Sequence, residues 1–421
     1  MGMNIAEKIL ARAAGVAEVV PGEIAIVEVD TCVLTDMNFM PASWREILKM
    51  RDAARVVVAL DHLVPANDPF AAAAHTTARE FVKRFGIARF HDVGRDQGIS
   101  HVVVADNAYA LPGTVMINPD SHTCGGGALN CAARGVGLPE TIFAVTTGKS
   151  WFRVGETIRY EFEGQLGPGV SAKDVFLHIA GKYGAHVNQN VEFGGAGLAN
   201  LSLNARRTLA IMGAELSAEF VIFEPDTLLL DYVHARNPAP FTPVLPDHDA
   251  RYKERRRLAL DTIEPLVALP DSIVGNSVRV GEVAGQKIDQ AFIGSCANGT
   301  LDDFAAAAKV VAGRRVARGV RLIVTPGSQA IYRDALAAGY VAILSEAGAV
   351  VTNATCGACV GCHMGVLGPD EVCITASTRN FKGRMGDPSA RIYMASPATV
   401  AASALAGCIA SAAAFFAGDR A

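Results

Sequence analysis

The chain has no marked excess of either charge. Its 38 Lys and Arg stand against 42 Asp and Glu, a formal net charge of −4, without the basic footprint that a nucleic-acid partner leaves. It also has no long uninterrupted apolar run. The most apolar stretch, residues 398–417, is alanine-rich and broken by Ser403, Gly407, Cys408 and Ser411, so a buried helix is expected there rather than a membrane span. The opening Met1-Gly-Met-Asn-Ile-Ala-Glu-Lys8 has no basic segment followed by an apolar core, so no signal peptide is expected. No short-period repeat is visible. What remains is a 421-residue chain with 50% hydrophobic residues, enough for two or three cores. Nine cysteines without an export signal point to a reducing, cytoplasmic setting and to metal or cluster ligation rather than disulfides.

Short β-branched runs alternate with alanine-rich helical stretches, the pattern of parallel sheets covered by helices, so the fold class is α/β. Strands are expected at 55–60, 101–104, 142–146, 290–293, 321–325, 349–352 and 371–375, and helices at 301–312 and 328–338. Residues 237–257 carry several prolines and the charged run Arg251-Tyr-Lys-Glu-Arg-Arg-Arg257. They read as an exposed connection, the basic run being a solvated helix face. Three domains are expected, at 1–128, 129–285 and 286–421.

The chemistry-bearing residues fall at strand ends. Asp61-His62 follows 55–60, Asp120-Ser121-His122 follows Val115-Met-Ile117, Cys296 follows 290–293, Cys356 follows 349–352, and Arg379 follows 371–375. In open α/β sheets, ligands sit in the crevice outside the carboxyl ends of the strands. The pair Cys356 and Cys359 lies in Ala354-Thr-Cys-Gly-Ala-Cys-Val-Gly-Cys-His363, and Cys296 in another glycine-flanked turn. Three such thiols can hold a [4Fe–4S] cluster and leave one iron open as a Lewis acid. A Cys-x-x-Cys alone also suits a redox dithiol or half a zinc site, for which Cys362 and His363 are the nearest further ligands. A ferredoxin-like arrangement would need a Cys-Pro, and none occurs. Cys32, Cys124, Cys131, Cys373 and Cys408 read as small core residues.

Asp61-His62 sets a carboxylate beside an imidazole, which fixes the tautomer and raises the pKa, as a proton-donating histidine requires. Asp120-Ser121-His122 repeats the arrangement and leads into Gly125-Gly-Gly127, whose N–H groups could meet an anion. One such histidine is more often structural; two at strand ends favour chemistry. His101 and Glu215 carry no local signal. Arg379 and Arg384 flank an aromatic and a glycine, the residue type that clamps carboxylates, although two ordinary surface arginines would look the same.

Taken together, the segments resemble the aconitase superfamily, most closely its 3-isopropylmalate dehydratase and homoaconitase large subunits. The likeness spans essentially the whole chain. It rests on Asp61-His-Leu-Val-Pro-Ala-Asn67, Asp120-Ser-His-Thr-Cys-Gly-Gly-Gly127, Gly148-Lys-Ser-Trp-Phe152, Met212-Gly-Ala-Glu215, Gly294-Ser-Cys-Ala-Asn298, Cys356-Gly-Ala-Cys359 and Arg379-Asn-Phe-Lys-Gly-Arg384.

The resemblance implies three α/β/α domains around a central [4Fe–4S] cluster held by Cys296, Cys356 and Cys359, with Cys362 unliganded. It implies a hydro-lyase acting on a hydroxy dicarboxylic acid, with His62, oriented by Asp61, protonating the departing hydroxyl. His101 with Asp120, and His122 with Glu215, would line the site, while Ser121, Arg379 and Arg384 would hold the substrate. The family's base is a serine on a swivelling fourth domain, for which the chain has no room after residue 421, so a separate small subunit is expected. Nucleic-acid and membrane partners are not. The chain departs from the leucine-pathway pattern at Leu34-Thr-Asp-Met-Asn-Phe-Met40, where a His-Asp pair is usual, and at Ala297 and Gly299-Thr-Leu-Asp302. This leaves homocitrate-, methylmalate-, dimethylmalate- and malate-type acids as rival substrates. An electron-transfer or zinc structural protein would need a fourth protein ligand, with Cys362 the candidate.

Overall fold

The computed structural model describes residues 2–417; Met1 and residues 418–421, the outer ends of the expected first and third domains, lie outside the described residues. Val56–Ala59, Val115–Asn118, Gln290–Ile293 and Val372–Thr375 are buried along their whole length. That is the condition of parallel strands covered on both faces.

Five parallel strands form the first sheet, in the order Arg89–His91, Val56–Ala59, Thr31–Thr35, Val115–Asn118, Ala132–Gly135. Numbered along the chain this is 3-2-1-4-5, so the order reverses between Thr31–Thr35 and Val115–Asn118. The last sheet has seven strands. Two antiparallel edge strands, Ser277–Arg279 and Leu266–Ala268, precede five parallel ones: Arg391–Ala395, Val372–Thr375, Gln290–Ile293, Arg321–Val324 and Val350–Val351. These five repeat the 3-2-1-4-5 order, with the reversal between Gln290–Ile293 and Val372–Thr375. Each sheet therefore opens a ligand crevice at its reversal point. A four-stranded parallel sheet lies between them in sequence, ordered Val221–Phe223, Gln189–Gly194, Glu156–Glu163, Glu254–Ala259.

Three expected elements take another form. Residues 101–104 lie in the helix Ser100–Asp106, and 142–146 in the helix Leu138–Thr147. An apolar run of four or five residues is too short to distinguish helix from strand by its period. The second helix carries Pro139 in its first turn and stops at Gly148 in the left-handed conformation, the usual pair of end signals. The basic run is not a helix face: Glu254–Ala259 is a strand beside Glu156–Glu163. Its charges meet acids on that neighbour (Arg255 Nη1 to Glu161 Oε1, 3.1 Å), while Arg256 Nη1 donates to the Tyr160 hydroxyl at 2.6 Å. The apolar stretch from 398 does form a buried helix, Pro397–Ala406, ended by Gly407. Among the described residues, no helix is long and apolar enough to cross a membrane.

Candidate active site

The two crevices meet, and the residues at their strand ends interlock. Cys356 N–H donates to the Asp61 main-chain carbonyl at 3.1 Å, and Thr355 Oγ1 to the His62 carbonyl at 3.0 Å. His363 Nε2 lies 2.9 Å from that same carbonyl. The cysteine turn of the last sheet is thus bonded to the first sheet's Asp-His segment.

Asp61 is fully buried. Its Oδ1 accepts from His62 Nδ1 at 2.7 Å and its Oδ2 from Ser100 N at 2.8 Å. Asp120 caps the 3₁₀ segment Ser121–Leu129, accepting from His122 N at 2.8 Å. It also lies 3.0 Å from His101 Nε2, 3.5 Å from His62 Nε2 and 3.6 Å from His122 Nδ1, so one carboxylate gathers three imidazoles. His101 and His122 meet edge to face, ring centres 6.0 Å apart. His122 Nε2 lies 3.0 Å from Glu215 Oε1, which accepts from Arg379 Nε at 2.8 Å, and Arg379 Nη2 donates to Ser121 Oγ at 2.7 Å. Every one of the histidines, carboxylates and arginines expected at the site, Arg384 included, is within this network or beside the cysteines.

The fields around these groups differ. Burial by itself lowers the His62 pKa, but the Cys356 sulfur and the carboxylates of Asp61, Asp120 and Asp36 outweigh it and hold it well above the ordinary value. His122 moves the other way: burial dominates, helped by the Arg379 charge, and its pKa falls despite Glu215 and Asp120. Burial opposes ionisation of Asp120, yet His101, His62 and His122 bring its pKa well below the usual carboxylate range. The two imidazoles are thus shifted in opposite directions by their surroundings.

Cys296 sits in the single turn Ser295–Asn298, entered through Gly294 at φ 154° and Ser295 at φ 72°. A Cβ on Gly294 would stand 2.7 Å from the Thr325 carbonyl oxygen, so the turn needs glycine. The positive φ at Ser295 is backbone strain of the kind that accompanies functional turns. Cys356 and Cys359 span one 3₁₀ turn, with Cys359 N donating to Cys356 O at 3.1 Å. Cys359 Sγ lies 3.5 Å from Thr378 Oγ1 and 3.9 Å from Arg384 Nη2. Burial pushes the Cys296 and Cys356 thiols up, and each is raised further by the other sulfurs; burial acts likewise on Cys359, but Arg384 and Thr378 prevail and bring it down. Asp61, His62 and Cys356 bring their ligand atoms within 4.8 Å of one another, as do His101, Asp120 and His122. Cys362 is exposed.

Two residues escaped the sequence reading. Asp36 directly follows the strand Thr31–Thr35, at the reversal point. It is buried, accepts from the backbone N–H groups of His62 (3.1 Å) and Leu63 (2.8 Å), and lies 3.5 Å from His62 Nδ1. The strand-end rule that found Asp61 would have found it. Lys173 is fully buried in the helix Ala172–Tyr183, and nothing local in the sequence marks it. The expected anion nest at Gly125–Gly127 is absent: all three glycines are buried. A Cβ would meet Ile211 Cγ1 at 2.5 Å from Gly125, Met116 Cε at 2.7 Å from Gly126, and the Val221 carbonyl oxygen from Gly127. These glycines permit close packing.

A model of the aconitase family (aconitate hydratase) matches residues 33–407. The chain belongs to the aconitase family. With that membership come the hydro-lyase class of enzymes and an iron–sulfur cluster as the family's cofactor. The 3-isopropylmalate dehydratase large subunit of Mycolicibacterium smegmatis is 54% identical over 407 residues, 97% of this chain and 96% of its own. A probable methanogen homoaconitase large subunit of Methanothermobacter thermautotrophicus is 42% identical, covering 97% of each chain. A solved structure, the holo-form of Thermococcus kodakaraensis aconitase X, matches at TM-score 0.49 and 12% identity over 87% of this chain and 88% of that one.

Proposed function

We propose that this chain is the large subunit of a 3-isopropylmalate dehydratase, interconverting 2- and 3-isopropylmalate through loss and re-addition of water. The observation that carries this reading is the convergence of His62, Asp61 and Cys356 within one ligand-sized cluster, which places a charged imidazole beside a thiol. The 54% identity over nearly the full length of both chains supports the substrate.

Cys296, Cys356 and Cys359 would hold a [4Fe–4S] cluster. Their surroundings suit a multiply anionic group. Arg384 lies against Cys359 with its Nε buried and unpartnered, and Ser295 Oγ and Ser377 Oγ, on the turns carrying Cys296 and the arginine loop, also lack partners. Held by these three thiolates, such a cluster would supply Lewis-acid chemistry toward a substrate oxygen.

On this chain the proton work falls to His62, and the other residues orient and bind. His62, charged and held by Asp61 and Asp36, gives its proton to the departing hydroxyl as the carbon–oxygen bond breaks, and water leaves. In the reverse direction the imidazole takes that proton back. Asp120 orients His101 and His62, and Glu215 keeps His122 and Arg379 in register. Arg379, Arg384 and Ser121 would bind substrate carboxylates. The base that removes the carbon-bound proton would come from a separate small subunit, as the term large subunit in the relatives' names suggests. Nine free thiols, Cys362 exposed among them, suit a reducing cytoplasm.

The test is to co-purify the chain with its small subunit without oxygen and to follow alkene absorbance with a panel of hydroxy diacids. Fastest turnover on isopropylmalate, and none from the large chain alone, is expected. A clear preference for homocitrate would move the assignment to homoaconitase, and turnover by the lone chain would remove the small subunit from the reading.

A further inference from the structure

Lys173 is a buried ammonium that the reaction just described does not use. It sits in the first turn of Ala172–Tyr183 with no exposed surface. Its Nζ donates to the Ser377 carbonyl at 2.9 Å and touches Met212 Sδ at 3.2 Å. Neither partner is anionic, and an ammonium taken out of water costs several kcal/mol unless nearby charge compensates it. Burial lowers the pKa of Lys173 to about 8, against the opposing pull of Asp303, the sulfurs of Cys296 and Cys359, and Glu215. Asp303 is engaged elsewhere, accepting from Asn298 Nδ2 at 3.0 Å and from Thr300 N at 2.9 Å. The carbonyl that Lys173 holds belongs to the residue before Thr378, whose hydroxyl reaches Cys359, and two before Arg379. One side chain thus ties the middle sheet's first helix to the loop bearing the arginines, whose Thr378 hydroxyl in turn meets Cys359.

We propose that Lys173 is a positioning residue of the cluster site: its ammonium offsets the negative charge of the thiolate-held cluster and, through the Ser377 carbonyl, fixes the loop that presents Thr378, Arg379 and Arg384. This rests on the cluster assignment made above. Net charge and hydrogen bonding around an iron–sulfur cluster set its reduction potential, so removing a buried positive charge lowers that potential. Loosening the loop weakens substrate binding.

The experiment compares Lys173→Met and Lys173→Arg with the wild type as anaerobic large–small complexes. It reads iron and sulfide content, midpoint potential by spectroscopically monitored titration, KM and kcat, and hydrogen exchange of residues 377–384. The Met variant is expected to keep its iron, to show a lower midpoint potential, at least a threefold higher KM and faster exchange in the loop. The Arg variant is expected to restore the potential. A Met variant with full iron and unchanged potential, KM and loop exchange overturns the proposal. If the Met variant does not fold, Lys173→Gln replaces it with the same expectations. Absence of iron from the wild type overturns the cluster assignment itself, and loop exchange then decides the remaining half: no change on losing Lys173 overturns it too.

Discussion

Replacing Asp61 by Asn tests whether the imidazole beside the cysteine turn works as a proton donor. Two donors converge on the buried carboxylate, His62 Nδ1 on one oxygen at 2.7 Å and Ser100 N on the other at 2.8 Å. An amide offers one accepting oxygen and turns its NH₂ toward the second donor. Either Ser100 N–H loses its partner or His62 must take the other tautomer, with Nδ1 accepting. Losing one charge-assisted bond costs about 1.5–3 kcal/mol, and at about 1.36 kcal/mol per factor of ten this is roughly a 10- to 150-fold fall in kcat. A complete tautomer switch would take the loss toward about 10⁴, the scale seen when the orienting aspartate of a histidine is made an amide in serine proteases. The thiol turn is bonded to the main-chain carbonyl of residue 61, not to its side chain, so iron content should stay at the wild-type level. The assay is kcat and its pH profile for the anaerobic large–small complex, with iron measured on the same sample. A kcat within threefold of wild type, with an unchanged pH profile, would refute the role given to His62.

Much of this site was legible because strand ends are legible. Wherever a β-branched run gave way to a polar group, at Asp61, Asp120, Cys296, Cys356 and Arg379, the residue did lie at a crevice. Asp36 obeys the same rule, but it ends the strand Thr31–Thr35, which is not among the strands expected from the sequence. Lys173 was not legible at all: its partner carbonyl lies 204 residues away, and a lysine in a helix's first turn looks like surface charge. The helix at 100–106 reads like a strand because full burial erases the period that separates the two; in the helix at 138–147 the run 142–146 is too short to show its period, although only one face of that helix is buried. The shared 3-2-1-4-5 order of the two outer sheets has no local signature, since it is a property of which strands pair. Yet that order sets Asp36, Asp120, Cys296 and Arg379, which follow the strands flanking the two reversals, at the crevices around which the other site residues gather.

Three further outcomes follow from the geometry. Cys359→Ser should abolish stoichiometric iron and sulfide, whereas Cys362→Ser should leave them near wild type; equal loss in both would favour a four-ligand site. Gly127→Ala should lower stability by about 1–3 kcal/mol, seen as a drop in thermal midpoint, because the added methyl meets the Val221 carbonyl oxygen. An unchanged midpoint would restore the open-nest reading of the glycines. The last outcome concerns Asp174, whose carboxylate accepts from Ser171 N at 2.9 Å and Leu266 N at 3.0 Å. Burial outweighs these bonds and raises its pKa to about 6. The folded state therefore binds this proton more tightly than the unfolded chain, whose aspartates titrate near 3.9. The stabilisation is complete below about pH 4 and is lost as pH rises through 6; two units at about 1.36 kcal/mol each make it roughly 3 kcal/mol. Asp174→Asn cannot titrate, so the stability of the wild type relative to the variant should grow as pH falls from 7 to 4.5. Denaturant midpoints at the two pH values read this directly. A difference that stays constant, or shrinks on acidification, would mean that the hydrogen bonding of this carboxylate, and not its burial, governs its charge.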